Sequence, residues 1–396
     1  MTSPVSSVPL TPPSAPSFAG DVLSVYVHWP FCTTICPYCD FNVYGARTID
    51  EDIWAQAFIA DLSYAAEFGE KKPVQSVFFG GGTPSLMSPH LLAMCLTQID
   101  KLWGLSPCAE ISLEANPAHN PQSLYKDLYA AGITRLSLGV QSLDDKVLTF
   151  LGRTHNAAQA CAAFAAAQKI FPASSLDIIY AYPEQSRQDW QAQLKNVLAL
   201  EPAHISAYQL TIEQGTRFYK DHAQGRFTMP DETQAALLYE TTQEQCAAAG
   251  LAAYEISNHA RDIGSQCQHN VLIWQGGDYV GVGAGSHGRL TQKETGKRFA
   301  TYGTPRPQDW LAHIKTHGHG LCEMTSLDEG AQREETLLLG LRLVEGLSFA
   351  QLKKQRVVLS PDKIKSLAAQ GLLELSDTHI AVSAAGRLVL DSVIAA

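Results

Sequence analysis

The sequence predicts an α/β fold built from parallel βαβ units, as in a barrel or a doubly wound sheet. Three observations lead to this prediction: six strand-like apolar runs precede residue 211, helix-like segments separate them, and polar residues follow the runs. Alternating strands and helices typically form a mostly parallel sheet with helices on its faces. In such folds the ligand-binding groups collect at the carboxyl ends of the strands, so the polar residues there are candidates for function.

The six strand-like segments are short and rich in Val, Ile, Leu and aromatic residues, and they span residues 22–29, 74–80, 110–116, 134–140, 175–180 and 204–210. Helices are predicted between them, over residues 51–69, 88–103, 121–131, 156–169 and 187–200. After residue 230 the pattern changes to a long helix over 231–249 and a glycine-rich strand region over 277–288. From about residue 330 the chain is helical and then predicts helix, β-hairpin and helix, which resembles a small winged-helix unit.

The composition is that of an ordinary globular chain of 396 residues, of which 45% are apolar and 17% charged. A formal net charge of −10 argues against bulk electrostatic binding to nucleic acid or acidic lipid. The winged-helix-like end carries six Lys/Arg against four Asp/Glu over 346–396, so we predict a structural or docking module and not a DNA-binding one. No apolar run reaches the roughly eighteen residues of a membrane span. We therefore expect neither a nucleic-acid partner nor a membrane span.

The first 20 residues are rich in Pro and Ser and lack the basic and apolar regions of a secretory signal. We expect a disordered tail over 1–20 and a cytoplasmic protein. The nine cysteines are consistent with a reducing compartment, because most are scattered singly and do not form a disulfide framework.

Three cysteines do cluster, directly after the first predicted strand. Cys32, Cys36 and Cys39 have the spacing C-x3-C-x2-C, and the next cysteine, Cys95, is more than fifty residues away. A structural zinc site needs four protein ligands, and a thioredoxin-like site needs one C-x-x-C pair, so both are less favoured alternatives. Three thiolates on one loop are suited to a [4Fe–4S] cluster in which one iron lacks a protein ligand. That iron is then open to a small molecule.

The cysteine spacing and the segments after it resemble the radical S-adenosylmethionine (SAM) superfamily. "VYVHWPFCTTICPYCDFN" resembles the opening of the oxygen-independent coproporphyrinogen dehydrogenase (HemN) group, and "FFGGGTPS" resembles its glycine motif. "EISLEANP", "RLSLGVQS", "LGRTH" and "LDIIYAYP" follow the order and spacing of that group. In the last segment, Ala181 and Tyr182 stand where the group commonly has Gly and Leu. The resemblance runs from about residue 22 to the end of the chain.

The resemblance implies that the three clustered cysteines hold the [4Fe–4S] cluster and that SAM binds at its open iron. The residues that would contact SAM are Tyr26, Tyr38, Gly81, Gly82, Thr83, Glu114, Gln141, Arg153 and Asp177. Their chemistry agrees with such roles. Adjacent glycines let the backbone approach a ligand closely, a carboxylate accepts hydrogen bonds from an amine or a ribose, and a guanidinium binds a carboxylate through two hydrogen bonds.

One position separates two activities within this group. The dehydrogenases carry a further cysteine two residues after the third, whereas this chain has Phe41, as HemW-type heme chaperones do within "CDFN". A phenylalanine ring cannot replace a thiol in redox or radical chemistry. The chain therefore resembles the HemW type, whose implied function is to bind heme and pass it to an acceptor protein. The alternative is a radical SAM enzyme that acts on a porphyrin, such as the coproporphyrinogen dehydrogenase, and enzymatic activity is left open.

The HemW type also carries a His-Asn-x-x-Tyr-Trp motif that is implicated in heme binding. "HNVLIW" keeps His269, Asn270 and Trp274, with Ile273 at the tyrosine position. Neutral imidazole is a common axial ligand of heme iron, and aromatic side chains cover porphyrin faces. His287, in "GAGSHG", is a second candidate ligand. In the alternative interpretation, the first of these histidines only caps a turn before an apolar strand.

Together these features predict a partial (β/α)6 radical SAM barrel with a C-terminal α+β extension and a small winged-helix-like unit. The predicted divisions are a tail over 1–20, the barrel over 21–230, a connecting α+β region with the heme motif over 231–330, and a C-terminal domain over 331–396. The implied ligands are a [4Fe–4S] cluster, SAM and heme, and the implied partner is an unidentified heme acceptor. Cys267 is predicted to be an ordinary buried thiol, with thiolate ligation or covalent heme attachment as alternatives.

Overall fold

The computed structural model describes residues 21–45, 48–119 and 122–396, so the tail predicted over 1–20 lies outside the described residues. The strands are β1 Leu23–Trp29, β2 Phe31–Cys32, β3 Tyr44–Gly45, β4 Val74–Gly81, β5 Leu105–Ala115, β6 Arg135–Gln141, β7 Ala173–Tyr180, β8 His204–Gln209, β9 Ala252–Ala253, β10 Asn258–Ala260, β11 Asp278–Val282, β12 His287–Thr291, β13 Arg298–Gly303, β14 Leu321–Ser326, β15 Leu347–Ser348, β16 Leu373–Leu375 and β17 His379–Val382. The helices are α1 Glu51–Phe68, α2 Pro89–Trp103, α3 Gln122–Ala130, α4 Asp145–Phe150, α5 Ala157–Ile170, α6 Arg187–Leu198, α7 Arg217–Ala223, α8 Glu232–Ala248, α9 Gln268–Trp274, α10 Pro307–His317, α11 Glu329–Gly340, α12 Phe349–Lys354, α13 Pro361–Ala369, α14 Ala384–Arg387 and α15 Leu390–Ala395.

The main sheet is wound from successive βαβ units. Within the described residues it has twelve strands in the order β14-β13-β12-β11-β1-β4-β5-β6-β7-β8-β10-β9. β1, β4, β5, β6, β7 and β8 are parallel neighbours in chain order. β11 adds to the β1 edge in parallel and leads into the antiparallel strands β12, β13 and β14. The predicted fold class, a six-stranded parallel barrel segment with an α+β extension, is confirmed.

The sequence explains where these elements begin and why they pack. β1 is buried on both faces, as expected for a parallel strand covered by helices on both sides. α1 begins after Asp50, whose side chain accepts the N–H of Ile53, and α2 begins after Ser88 in the same way. In the core, the Trp54 ring stacks on Trp310 of α10 with centroids 5.0 Å apart, so the extension shares its core with the barrel.

Four helices lie where none is predicted: α4, α7, α9 and α10. The first three have six or seven residues, too few for an apolar period to emerge from the sequence. α10 has eleven residues and begins after Arg306, which makes no side-chain cap hydrogen bond, so its start carries no capping signal. β5 starts at Leu105, five residues before its predicted start, because a proline and polar residues conceal its first half. α9 matters most for function, because it contains the HN-x-x-x-W motif.

The end of the chain forms a small unit with its own core. β15, β17 and β16 make a three-stranded antiparallel sheet. Its buried apolar side chains include Leu347, Leu352, Ile380 and Val393. The arrangement agrees with the winged-helix-like unit, while the domain divisions at residues 20, 230 and 330 stay predictions. Among the described residues, no helix combines the length and apolar character needed to cross a bilayer.

Candidate functional site

The carboxyl ends of the parallel strands surround one large cavity of about 1470 Å³. All the residues predicted to hold the cluster, SAM or heme line this cavity; they are Tyr26, Cys32, Cys36, Tyr38, Cys39, Gly81, Gly82, Thr83, Glu114, Gln141, Arg153, Asp177, His269, Asn270, Trp274 and His287. Small-molecule sites typically occupy about 300–1,000 Å³. The cavity therefore has room for more than one ligand. The residues predicted to hold the cluster and SAM and the residues predicted to hold heme line the same cavity.

The cysteine loop follows β1 and is held by hydrogen bonds to its sulfur atoms. Thr83 Oγ1 donates to Cys32 Sγ at 3.4 Å, and Arg153 Nη1 donates to Cys36 Sγ at 3.4 Å. Burial raises the pKa of Cys39 to about 11 and also raises the pKa of Cys32. These groups are therefore thiols at neutral pH, and binding a metal must displace their protons.

The donor set of this loop suits an iron–sulfur cluster better than a single metal ion. Among residues 21–45, 48–119 and 122–396, no three His, Cys, Asp or Glu side chains converge on one metal position. A [4Fe–4S] cluster needs no such convergence, since each thiolate binds a different iron. Cys32, Cys36 and Cys39 all line the same cavity, which offers the space that the cluster requires.

The glycine motif ends β4 and packs directly under the cysteine loop. A Cβ atom on Gly82 would lie 2.6 Å from the carbonyl oxygen of Phe31, and one on Gly81 would lie 2.6 Å from the His28 ring. The Gly82 N–H donates to the carbonyl of Trp29 at 2.7 Å, and the Thr83 N–H donates to Phe31 at 2.9 Å. Gly81 and Gly82 are thus required partly because the end of β4 packs closely against the chain before Cys32. This reason adds to the one inferred from sequence, which is that glycine lets the backbone come close to a ligand.

Two partly buried carboxyl groups face the cavity from β5 and β7. Desolvation, with a smaller contribution from the neighbouring Asp177, raises the pKa of Glu114 to about 8, although the Gly81 N–H donates to Glu114 Oε2 at 3.1 Å. Burial also raises the pKa of Asp177 to about 6, against the hydrogen bond from Ser137 at 2.9 Å. A cationic ligand group at this position would favour the ionised carboxylates.

Two residues at the ends of β6 and β7 have positive φ angles, which only glycine adopts without strain. Gln141 has φ 66° and Ala181 has φ 56°. Such conformations cluster at functional sites. Ala181 stands where the group that the sequence resembles commonly has glycine. Its left-handed backbone accounts for the usual glycine and implies strain for the alanine found here.

Tyr38 and Arg153 line the cavity beside the cysteine loop. Arg153 Nη2 donates to the carbonyl oxygen of Gly139 at 2.8 Å, and its Nε is buried with no hydrogen-bond partner among the described residues. The Tyr38 ring packs 6.3 Å from that of Phe218. The guanidinium group is thus held next to the sulfur of Cys36, and its Nε–H remains available to donate to a ligand.

The heme-motif residues His269, Asn270 and Trp274 lie on α9, which lines the same cavity. His269 is 5% exposed, its ring stacks on Phe78 with centroids 5.0 Å apart, and its Nδ1 is 3.3 Å from Ser76 Oγ. Burial lowers the pKa of His269 to about 3, so the imidazole is neutral at physiological pH. This burial within a helix replaces the alternative interpretation of a turn-capping histidine. His287 is exposed and stacks on Tyr302 with centroids 4.5 Å apart.

The other residues in and next to the motif differ in burial and in hydrogen-bonding partners. Trp274 Nε1 is buried with no hydrogen-bond partner among the described residues, and Asn270 and Ile273 also line the cavity. Cys267 is buried, and burial raises the pKa of its thiol to about 12. That value favours an ordinary buried thiol over a thiolate ligand at this position.

Several cavity-lining residues were not predicted from sequence. Arg342 and Arg387 come from the C-terminal part of the chain, and Tyr239 comes from α8. Arg342 places its guanidinium carbon 5.0 Å from the centroid of the Trp274 ring. Single arginines and a tyrosine in otherwise helical segments form no motif, so no sequence signal marks them.

Comparisons with known proteins agree with this architecture. Residues 26–195 match the radical SAM superfamily, and residues 327–389 match the HemN C-terminal domain. "Radical S-adenosyl methionine domain-containing protein 1, mitochondrial" of Bos taurus is 37% identical over 392 residues, which cover 96% of this chain and 88% of the relative. "Heme chaperone HemW" of Synechocystis is 37% identical over 87% of this chain and 83% of the relative, and that of Escherichia coli K12 is 32% identical over 94% and 97%.

Among solved structures, coproporphyrinogen III oxidase (HemN) of Escherichia coli superposes with a TM-score of 0.78 at 21% identity. The superposition covers 96% of this chain and 90% of the other, and at this identity it establishes the shared fold. The HemW relatives also establish the family, because they are more than 30% identical to this chain over most of its length. The protein belongs to the HemW family of the radical SAM superfamily.

Proposed function

We propose that this protein binds heme and passes it to an acceptor protein, and that it carries a [4Fe–4S] cluster and SAM in the same cavity. The observation that supports this most directly is the single cavity of about 1470 Å³, which the cysteine loop and α9 both line. Relatives named heme chaperone HemW, at 32–37% identity, support the same proposal.

In this proposal Cys32, Cys36 and Cys39 hold the cluster, which when bound supplies an open iron for SAM and a source of electrons. Arg153 holds Cys36 Sγ in position by donating a hydrogen bond to it. Glu114 accepts a hydrogen bond from the SAM amine or ribose, and ionises as it does so because a cationic partner opposes the effect of burial. Tyr26, Tyr38, Gly81, Gly82, Thr83, Gln141 and Asp177 complete the SAM site.

On α9, His269 is the residue that would coordinate the heme iron. Ser76 Oγ donates to Ser24 Oγ at 2.8 Å, so it can accept a hydrogen bond from Nδ1–H of His269, which orients the ring and leaves Nε2 unprotonated for the metal. The low pKa of His269 keeps the ring as a whole neutral at physiological pH. Trp274 and Asn270 flank the ligand from the same helix, and His287 is the second candidate. The buried thiol of Cys267 has no assigned role.

The test is a heme titration of the purified protein, in which we expect about one equivalent to bind. His269→Ala should shift the Soret band and weaken binding at least tenfold, because the lost iron ligand cannot be replaced by alanine. His317→Ala, an exposed histidine that does not line the cavity, is the matched control. If neither His269→Ala nor His287→Ala changes the spectrum or the affinity, the ligand lies elsewhere. A wild-type protein that takes up no heme at micromolar concentration would refute the proposal.

The alternative enzymatic function gives a different result. Phe41 stands where the coproporphyrinogen dehydrogenases have cysteine, so we expect no conversion of coproporphyrinogen III to protoporphyrinogen IX in an anaerobic assay with SAM, reductant and cell extract. Turnover comparable to that of a true dehydrogenase, measured by chromatography of the oxidised porphyrins, favours the enzyme. The heme acceptor, the cytoplasmic location and the domain divisions at 20, 230 and 330 are parts of the same proposal.

A further inference from the structure

Four arginines line the cavity, and they fall into two pairs. Arg135 forms an ion pair with Glu110 at 3.2 Å, and Arg153 donates to Cys36 and Gly139. Arg342 and Arg387 lack any ion pair or side-chain hydrogen bond within the part of the chain that the structure describes. They are therefore the two arginines of the cavity wall that no carboxylate of the described residues neutralises.

Arg342 lies against the heme motif itself. Its guanidinium carbon is 5.0 Å from the centroid of the Trp274 ring, a distance typical of a cation–π contact. Arg342 Nε and Trp274 Nε1 are both buried without a hydrogen-bond partner among the described residues. Buried donors are nearly always paired in folded proteins, so two unpaired donors at one place indicate an acceptor that comes from outside the chain.

Arg387 presents a similar arrangement at another part of the wall. The hydroxyl group of Tyr239, which also lines the cavity, is buried and has no partner among the described residues. Both side chains line the cavity, and the electrostatics of Tyr239 agree with this placement: burial raises its pKa, the positive charge of Arg387 opposes the rise, and the carboxyl group of Glu255 adds to it. Arg387 and Tyr239 thus bring a charged donor and a neutral donor to one region of the cavity.

We infer that Arg342 and Arg387 bind the two carboxylates of a porphyrin, one each, with Trp274 and Tyr239 as supporting donors. The inference rests on the proposed function. Guanidinium groups match carboxylates in charge and geometry, and a dicarboxylate ligand needs such local charge in a chain whose net charge is −10. Ile273 and Leu388 line the cavity next to these residues and offer apolar contact to the ring of the ligand.

Both arginines fall within residues 327–389, outside the radical SAM match over 26–195. The small C-terminal unit thus acquires a role in the site, because it contributes the groups that recognise the carboxylates. The iron ligand and the carboxylate anchors are then supplied by different parts of the chain.

The experiment compares heme with heme dimethyl ester, which keeps the iron and the ring and lacks the carboxylate charges. We expect the wild-type protein to bind heme about a hundredfold more tightly than the ester, about tenfold for each arginine, since hydrogen bonds to charged groups are the strong ones. Arg342→Gln and Arg387→Gln should each weaken heme binding about tenfold and leave ester binding unchanged. The double variant should bind both ligands alike. Arg333→Gln, at an exposed arginine of the same region outside the cavity, is the control.

The outcomes separate this inference from the proposed function. A wild-type protein that binds heme and its ester equally, or arginine variants that bind heme like the wild type, overturns the carboxylate anchors while the heme-binding proposal stands. Loss of ester binding in the variants shows that the arginines support the shape of the pocket, and it also overturns the inference. Absence of heme binding in the wild type overturns both. Arg342→Lys, which keeps the charge without the planar fork, should give an intermediate affinity.

Discussion

The two walls of the cavity are organised differently. On the cysteine wall, formed by the cysteine loop with Gly81, Gly82, Glu114 and Arg153, most polar groups have partners within the chain. On the α9 wall, formed by α9 with Arg342, Arg387 and Tyr239, several donors have none among the described residues. The first wall is arranged before any ligand arrives, whereas the second leaves its polar groups for a ligand. This difference agrees with the proposed roles of the two walls, which are a retained cluster on the first and a transferred heme on the second.

The strongest test of the cysteine wall removes its three thiols. Replacing Cys32, Cys36 and Cys39 together by Ala should abolish the cluster, because no other described cysteine lines this part of the cavity. Anaerobic reconstitution of the wild type should give about four irons and four sulfides per chain. Iron analysis and electron paramagnetic resonance measure both proteins. The control replaces the exposed Cys108 and Cys322, and it should keep the full cluster.

Full iron content in the triple variant would contradict the assignment of the cysteine wall to the cluster. Loss of the cluster from the variant at Cys108 and Cys322 would show that reconstitution depends on exposed thiols. Heme binding on the α9 wall should survive the triple substitution if the two walls act separately, which makes the heme titration a second measurement on the same protein.

The second prediction concerns the partly buried carboxyl group of Glu114. Its pKa is raised to about 8 in the folded protein, from an ordinary value near 4.5, so the folded state binds a proton that the unfolded state has released. The free energy of unfolding should therefore fall as the pH rises from about 5 to 8. Glu114→Gln removes this contribution and should be more stable than the wild type at pH 8, by on the order of 1–3 kcal/mol.

Urea unfolding at a series of pH values measures the effect of Glu114. The comparison is cleanest between pH 6 and 8, because Asp177, with a pKa of about 6, contributes its own decline at lower pH in both proteins. Parallel curves for the wild type and the variant over that interval would show that Glu114 is ionised throughout. On the α9 wall, the corresponding group is His269, which burial keeps neutral over the same range.

The difference between the walls also explains how much could be predicted from sequence. The cysteine wall is encoded in short contiguous motifs at the ends of strands, so spacing alone reveals Cys32, Cys36 and Cys39. The parallel strands were predicted almost to the residue, because each is a continuous apolar run bounded by polar turns. The exception, β5, begins in a stretch where proline and polar residues obscure the strand pattern.

The structure of the α9 wall could not be predicted from the sequence, for two physical reasons. α9 has seven residues, so its helical period is not visible, and the burial of His269 depends on Phe78 and Ser76, which are far away in the chain. Arg342 and Arg387 reach the cavity only through the packing of the C-terminal unit. Tertiary contacts of this kind have no local signature.

A third prediction tests the contribution of Ile273 on the α9 wall to heme binding. Ile273 lines the cavity where related chaperones have tyrosine, and a tyrosine hydroxyl can hydrogen-bond to a bound carboxylate. Ile273→Tyr should therefore tighten heme binding by about fivefold, which corresponds to one hydrogen bond of about 1 kcal/mol, and should leave the Soret band unchanged. Ile273→Phe is the matched control, since it adds the ring without the hydroxyl. Equal affinities for the two variants would mean that the ring alone is responsible.

The smallest expected effect lies at the end of β7, next to the cysteine wall. Ala181 is 3% exposed and has φ 56°, a left-handed conformation that costs a residue with a Cβ atom about 1–2 kcal/mol. Glycine loses about 0.4–1 kcal/mol more through the entropy of the unfolded chain, and loss of the buried methyl group costs about 0.8 kcal/mol. These terms nearly cancel, so Ala181→Gly should change the free energy of unfolding by less than about 0.5 kcal/mol. Ala162→Gly, at an exposed position within α5 with helical geometry, should instead destabilise the protein by about 1 kcal/mol. Thermal unfolding of both variants measures the difference. If Ala181→Gly destabilises the protein as much as Ala162→Gly does, the left-handed conformation is not strained, and the departure from glycine at this strand end has no cost in stability.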